Sequence, residues 1–140
     1  MRKIDTLVVH TSATFPEQRV TVETIRQWHL ARGFSDIGYH FVVDKDGTIH
    51  AGRPAEKPGA HTLNWNSRSL GICYIGGLDE QGRASDTRTP RQRKALRELI
   101  AELLRTYPDI RYIYGHCDLA PKACPCFNAR EEYGGMISLR

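Results

Sequence analysis

The run Ser69-Leu70-Gly71-Ile72-Cys73-Tyr74-Ile75 does most to constrain the fold of this chain. It is apolar at nearly every position, and a strand of that character is one buried on both faces. Only the interior of a sheet with cover on each side offers such a place, so this run reads as a central strand. Thr6 to His10 is a second buried strand, short and β-branched, ending where the turn-forming Thr11-Ser12-Ala13-Thr14 begins. Residues 111–115 form a third. Gly38-Tyr39-His40-Phe41-Val42-Val43 and Thr48-Ile49-His50-Ala51-Gly52-Arg53 flank Asp44-Lys45-Asp46-Gly47, and Asp-Gly between two β-type runs predicts a hairpin.

Helices alternate with these strands. Thr21 can cap a helix over Val22 to Arg32 that Gly33 stops, with Val22, Ile25, Trp28 and His29 on one apolar face. On such a face His29 reads as a packed, hydrogen-bonded residue and not a ligand. Thr89-Pro90-Arg91-Gln92 combines a Thr cap, a Pro at the first helical position and a Gln at the third, and starts a helix that runs to about Thr106. Its stripe of Leu96, Leu99, Ile100, Leu103 and Leu104 belongs in a core. A last short helix is expected from an Asn128 cap to about Tyr133, stopped by Gly134-Gly135, and residues 78–88 are expected as an exposed, mobile loop. The order predicts an α/β fold: a single domain over 1–140 with a central mixed β-sheet flanked by helices.

Bulk properties exclude several classes. No apolar run approaches the roughly 20 residues that span a bilayer, so membrane insertion is not expected. Met1-Arg2-Lys3-Ile4-Asp5 is basic, but the apolar run after it is short and broken by Asp5, Thr6 and His10, which is a strand and not a signal peptide. Synthesis in a cytoplasm without a signal peptide is the expectation. The net charge of +4 is spread without any basic run, which permits an anionic partner without pointing to one. Four cysteines in such a chain, Cys73, Cys117, Cys124 and Cys126, read as buried thiol or metal ligand before disulfide, and Cys73 sits inside the central strand as a core residue.

The chemistry gathers in Gly115-His116-Cys117-Asp118-Leu119-Ala120-Pro121-Lys122-Ala123-Cys124-Pro125. Two prolines make a helix unfavourable there, so a stiff loop presents an imidazole, an ammonium and a thiol at the end of a strand. His10 leaves its strand in the same way. Two histidines and one cysteine match a zinc site with an open fourth position for water. Lys122 can stabilise an oxyanion in the same cleft, and Tyr39 offers a phenol from the hairpin. Two rivals stand beside this reading: no metal at all, or a local knuckle of His116, Cys117, Cys124 and Cys126. The knuckle's one-residue and zero-residue gaps fall short of the spacing usual for structural zinc pairs.

The whole set of motifs resembles one family. It runs from Val8-Val9-His10-Thr11-Ser12-Ala13-Thr14 and Ile25-Arg26-Gln27-Trp28-His29 to Gly38-Tyr39-His40-Phe41, Asp46-Gly47-Thr48 and Ala51-Gly52-Arg53. It continues through Asn66, Ser69-Leu70-Gly71-Ile72-Cys73, Gly76-Gly77 and Thr89-Pro90 to His116 and Ala120-Pro121-Lys122-Ala123-Cys124-Pro125. In that order they resemble the phage lysozyme-type N-acetylmuramoyl-L-alanine amidases, a zinc family shared with the peptidoglycan recognition proteins. The resemblance implies one Zn2+ per chain on His10, His116 and Cys124, with water as fourth ligand, and Tyr39 and Lys122 as catalytic residues. It implies hydrolysis of the amide between the lactyl group of muramic acid and L-alanine of the peptidoglycan stem peptide, with His61, Asn64, Trp65 and Arg53 along the substrate groove. It further implies a monomer that acts on the cell wall after release, as an endolysin does, and it raises contact with a phage RNA polymerase. A non-catalytic wall-binding module and a polymerase-binding regulator are the alternatives. Cys124, a competent thiolate at the third ligand position, favours the enzyme. Cys117 and Cys126 lie outside the family pattern.

Overall fold

The central run is the middle strand of five. In the computed structural model, which describes all residues from Met1 to Arg140, the strands are β1 (Thr6–Thr11), β2 (Phe41–Val43), β3 (Ile49–Ala51), β4 (Ser69–Tyr74) and β5 (Tyr112–Gly115). The helices are α1 (Val22–Ala31), α2 (Pro90–Thr106) and α3 (Ala129–Tyr133). The sheet order is β3-β2-β4-β1-β5. β4 pairs in parallel with β1 and β2, β1 pairs in parallel with β5, and only β3 runs antiparallel, as the return arm of the hairpin. Every residue of β1 and β4 is buried, as the apolar runs require.

The two faces of the sheet are covered differently. Leu7, Val9, Leu70, Ile72, Tyr74 and Ile113 meet the stripe of α2 and the inner side of α3 in one continuous apolar cluster. Each fully buried leucine or isoleucine there stabilises the fold by about 1.5–3 kcal/mol relative to exposure. On the opposite face a smaller cluster joins Val42 and Ile75 to Ile25 of α1, together with Val20 and Ile37. The alternate residues of β4 on that side, Gly71 and Cys73, are small. The volume they leave is taken by side chains of the loops, and this is where the functional groups gather.

Capping agrees closely with the sequence. Thr21 and Thr89 each accept a hydrogen bond from the third backbone N–H of their helix, and the side chains of Thr24 and Gln92 accept the N–H of the cap in return. Two expectations, for Trp28 and for residues 78–88, fail in instructive ways. Trp28 is exposed, because Ile25 and His29 alone define the buried line of α1 and Trp28 falls on its flank. The last α-helix runs from its Asn128 cap to Tyr133 and ends at Gly134 as expected, and the chain then continues as a 3-10 segment over Gly134–Leu139. Residues 78–88 are not a free loop, because Arg88 at its end is buried.

Arg88 is a hub. Its guanidinium pairs with Asp86 at 2.9 Å and Glu132 at 2.7 Å, donates to the Tyr133 hydroxyl at 2.8 Å and lies 3.3 Å from the centre of the Phe127 ring. Its side chain is only 1% exposed, so the pairs form where water screens little. By contrast, Arg83 pairs with Asp79 in solvent. Arg88→Ala should therefore cost about 3 kcal/mol in urea unfolding, because it removes a buried guanidinium from Glu132, the Tyr133 hydroxyl and the Phe127 ring, while Asp86 keeps Arg93 at 3.0 Å. Arg83→Ala should stay within about 0.5 kcal/mol.

Candidate metal centre and cleft

Strand register assembles the centre. In the parallel pair of β1 and β5, Val9 stands opposite Gly115, so the next residues, His10 and His116, emerge side by side. Their ring centres are 4.7 Å apart. His10 is buried, and His116 sits half-exposed on a short 3-10 turn, His116–Asp118, in which the Asp118 carboxylate accepts the Gly115 N–H at 2.8 Å.

The loop after that turn folds back to bring Cys124 to the pair. The Cys117 N–H donates to the Cys124 carbonyl at 2.7 Å, the Tyr74 hydroxyl donates to the Pro125 carbonyl at 2.6 Å, and the Thr11 N–H donates to the Cys124 sulfur at 3.1 Å. One donor atom each from His10, His116 and Cys124 lie within 4.8 Å of one another. The His10 Nδ1 to Cys124 Sγ separation is 3.8 Å. Tetrahedral zinc, with bonds of about 2.0–2.3 Å, sets its ligand atoms roughly 3.3–3.7 Å apart. The donor set and its spacing thus fit a zinc-type ion that keeps one position open. The knuckle is not assembled: Cys117 is exposed, and the Cys126 thiol donates to the Gly77 carbonyl at 3.4 Å.

His10 is held from behind. Its Nε2 lies 2.9 Å from His61 Nδ1 and 3.2 Å from Thr62 Oγ1. His61 Nε2 lies 3.3 Å from Ser69 Oγ, which itself donates to the Trp65 carbonyl at 2.8 Å. One proton arrangement satisfies all of these contacts. The Ser69 hydroxyl is spent on Trp65, so His61 donates from Nε2 and accepts at Nδ1; His10 then donates from Nε2 and leaves Nδ1 free for a metal. The ring of His61 lies flat against the sheet, where a Cβ on Gly71 would come within 2.6 Å of it and one on Gly59 within 2.7 Å. Asn66 Oδ1 fixes the backbone of this segment by accepting the N–H groups of both His61 and Thr62 at 2.9 Å.

The centre opens into a cleft of about 550 Å³ whose walls include Tyr39, His61, Lys122, Arg32, Phe34 and Leu63. Tyr39 stands between His10 and His29, at ring separations of 5.1 and 5.3 Å. Of the residues expected along a groove, His61 is in this wall and the other three are not. Asn64 is exposed in a left-handed turn, with φ of 71°. Trp65 packs edge-on against Tyr114 at 5.6 Å under the Arg68 guanidinium. All three donor nitrogens of Arg53 are used on the carbonyls of Ile37, Pro58 and Asp36. The cleft also holds residues the sequence did not single out, among them Arg32, Phe34 and Thr62, whose positions depend only on the tertiary fold. His29 accepts the Gly38 N–H at 2.8 Å, a packed histidine that also floors the cleft.

Burial sets the protonation of these groups. His10 and His61 are driven well below the ordinary histidine value, by desolvation first. The neighbouring imidazoles of His61 and His116 add to this at His10, and those of His40 and His116 at His61. His116 is lowered by burial and by the charge of Lys122. Neutral imidazoles are what a metal requires. The phenol of Tyr39 is raised well above its usual range, by burial first and then by the thiols of Cys73 and Cys124, so it stays protonated. Burial pushes the Cys124 thiol up to about 12, against the Thr11 N–H that lowers it. His40, behind the site, accepts the Gly71 N–H at Nδ1 (3.0 Å) and donates from Nε2 to the Lys57 carbonyl (2.9 Å); burial lowers it to about 4.

The chain is similar to known proteins over most of its length. A family model described as N-acetylmuramoyl-L-alanine amidase matches residues 1–127. The chain is 43% identical over 126 residues to the endolysin of Escherichia phage T7, covering 90% of this chain and 83% of the relative. It is 31% identical over 114 residues to the peptidoglycan-recognition protein SC2 of Drosophila melanogaster, covering 79% of this chain and 59% of the relative. Among solved structures, the N-acetylmuramoyl-L-alanine amidase LysC from Clostridium intestinale matches with a TM-score of 0.81 and 31% identity, over 96% of this chain and 84% of that one.

The neutral histidines make a prediction for the metal-free protein. His40 takes its proton near pH 6.5 when unfolded but only near pH 4 when folded, so unfolding takes up a proton between those values. Stability is complete above pH 6.5 and is lost as the pH falls through that window. Urea unfolding under chelation should be weaker at pH 4.5 than at pH 7.5 by on the order of 3 kcal/mol from His40 alone.

Proposed function

The chain belongs to the N-acetylmuramoyl-L-alanine amidase family, and from that premise we propose that residues 1–140 form one zinc-dependent amidase domain that cuts the lactyl–L-alanine amide of peptidoglycan, as an endolysin does. The observation that carries this reading is the convergence of His10, His116 and Cys124 in a cleft that also holds Tyr39 and Lys122. Peptidoglycan as substrate is supported by the names of the relatives, which include both amidases and recognition proteins. No helix is long and apolar enough to cross a membrane, which suits a wall hydrolase that depends on another agent for passage.

A divalent zinc ion held by His10, His116 and Cys124 would supply Lewis-acid polarisation of the scissile carbonyl and a water made acidic enough to attack near neutral pH. The chain's own groups do the rest. His61 and Thr62 hold His10 in the tautomer that presents Nδ1. Lys122, on the loop beside His116, brings its ammonium to the oxygen on which negative charge develops. Tyr39 keeps its phenolic proton and offers it as a hydrogen bond to the reacting carbonyl or the leaving amine. A binding module without activity would not need a thiolate at the third position. Cys124 therefore separates the two readings.

Metal analysis with an assay for free L-alanine amino termini on purified peptidoglycan tests this. Cys124→Ser, His10→Ala and His116→Ala should each remove metal and lysis, the two histidines equally, from a protein that stays folded; Cys126→Ala should keep both. Full lysis by rigorously metal-free protein would overturn the reading. His61→Ala should weaken metal affinity by about 10–100-fold in a chelator competition.

A further inference from the structure

The residue beside His10 in the sheet is Cys73. The parallel pairing of β1 with β4 sets the two in register, and neighbours in register share a face, so the Cys73 thiol lies on the side where the candidate centre assembles. Across the other edge of β4 its neighbour is Val42 of β2, the strand that begins two residues after Tyr39. Cys73 is fully buried and takes no part in the wall of the cleft, which Tyr39 lines above it. A small apolar side chain would fill this place equally well. Cys73 differs from one in carrying lone pairs.

Tyr39 can use them. Its backbone is fixed, because its carbonyl accepts the Arg53 N–H at 2.8 Å, and its ring is held between those of His10 and His29, at 5.1 and 5.3 Å. The direction of the hydroxyl remains to be set, and a buried phenol needs a hydrogen-bond partner. The structure gives it the Cys73 sulfur. One proton arrangement fits. The Cys73 S–H donates to the Tyr74 carbonyl at 3.6 Å, which leaves the sulfur lone pairs to accept the Tyr39 O–H. Burial keeps both groups protonated, so this is a neutral hydrogen bond and no proton changes owner.

A neutral thiol is a weak acceptor. It can orient a hydroxyl and release it when a carbonyl oxygen or an amine arrives. An oxygen acceptor would hold the hydroxyl harder, and a methyl group would leave it undirected. Resting on the amidase reading, we propose that Cys73 is a positioning residue, which aims the Tyr39 hydroxyl in the empty site and yields it to the reacting group.

Kinetics on purified peptidoglycan and carbon-13 at the tyrosine Cζ position, assigned through Tyr39→Phe, test this together. Cys73→Ala should lower kcat about tenfold with KM within about twofold, and Cys73→Ser, which restores an acceptor, should recover kcat to within about threefold of native. On a Tyr39→Phe background Cys73→Ala should have no further effect, because the two residues act as one unit. Ile72→Val, a small loss on the opposite face of β4, should leave kcat within about twofold. In the chelated protein the Tyr39 resonance should lie away from that of a solvent-exposed phenol, and should move in Cys73→Ala. A solvent-like resonance in the native protein overturns the proposal even where the alanine variant does not fold. Native kcat in Cys73→Ala overturns it too, as does a full tenfold loss on the Tyr39→Phe background. The resonance is read without metal or substrate, so the two readings fail separately. No hydrolysis by the metal-loaded native enzyme would overturn the amidase reading and with it the catalytic use of this contact. Hydrolysis that is indifferent to Cys73 would remove the role of Cys73 alone.

Discussion

The parallel pairing of β1 with β5 is the constraint on which the site depends. His10 and His116 are more than a hundred residues apart, and neither strand carries information about the other. Their register, Val9 opposite Gly115, is what converts two strand-end histidines into one pair with rings 4.7 Å apart. A slip of one residue would turn His10 to the face covered by α2, where Leu7 and Val9 now pack, and the apolar pattern of the strand forbids that slip. The core that fixes the register therefore also fixes the candidate metal centre. Cys124 is delivered to the pair by a loop tied to the same strands, through Thr11 at the end of β1 and Tyr74 at the end of β4.

The small residues of β4 do the complementary work. Gly71 and Cys73 leave room above the sheet that a leucine or valine would fill, and His61, His40 and Tyr39 occupy it. Histidine in such a place is costly unless both nitrogens are used. The fold meets that requirement with backbone partners and with other side chains: Gly71 and Lys57 for His40, and His10 and Ser69 for His61. No buried side-chain nitrogen or oxygen is left without a partner. The same burial that makes these rings neutral makes them rigid, and a rigid neutral imidazole is the state a metal ligand must already be in.

Much of this was legible in the chain itself. The two helix caps, the hairpin and the buried strands are local signals, set by spacing and by a handful of residues, and they fell where the pattern put them. His10, His116, Cys124, Tyr39 and Lys122 were legible as residue types at strand and loop ends, and the structure brings all five into one cleft. What escaped has a common physical character. Arg53 and Trp65 have the composition of binding residues, but their polar groups and rings are consumed by the protein: carbonyls for the one, Arg68 and Tyr114 for the other. Arg88 reads as loop polarity because its partners, Glu132 and Tyr133, are more than forty residues away. Arg32 reads as an ordinary helix-end cation, and only the packing of α1 against the hairpin turns it toward the cleft. Partnership is a tertiary property, and an arginine's sequence does not say whether its charge is spent.

The thiol of Cys124 carries the argument one step further. Without metal it is held as the neutral thiol, up to about 12, because burial outweighs the Thr11 N–H. His10 beside it is held neutral as well. The metal-free site is thus nearly uncharged at neutral pH, and its cost in buried charge is small. A dication entering must expel the thiol proton, and its affinity is coupled to pH through that one step. Once the thiolate forms, the Thr11 N–H that was a weak contact becomes a charge-assisted one. The backbone at the end of β1 would therefore suit a loaded state while the unloaded state remains stable, which would let the chain fold before taking up an ion.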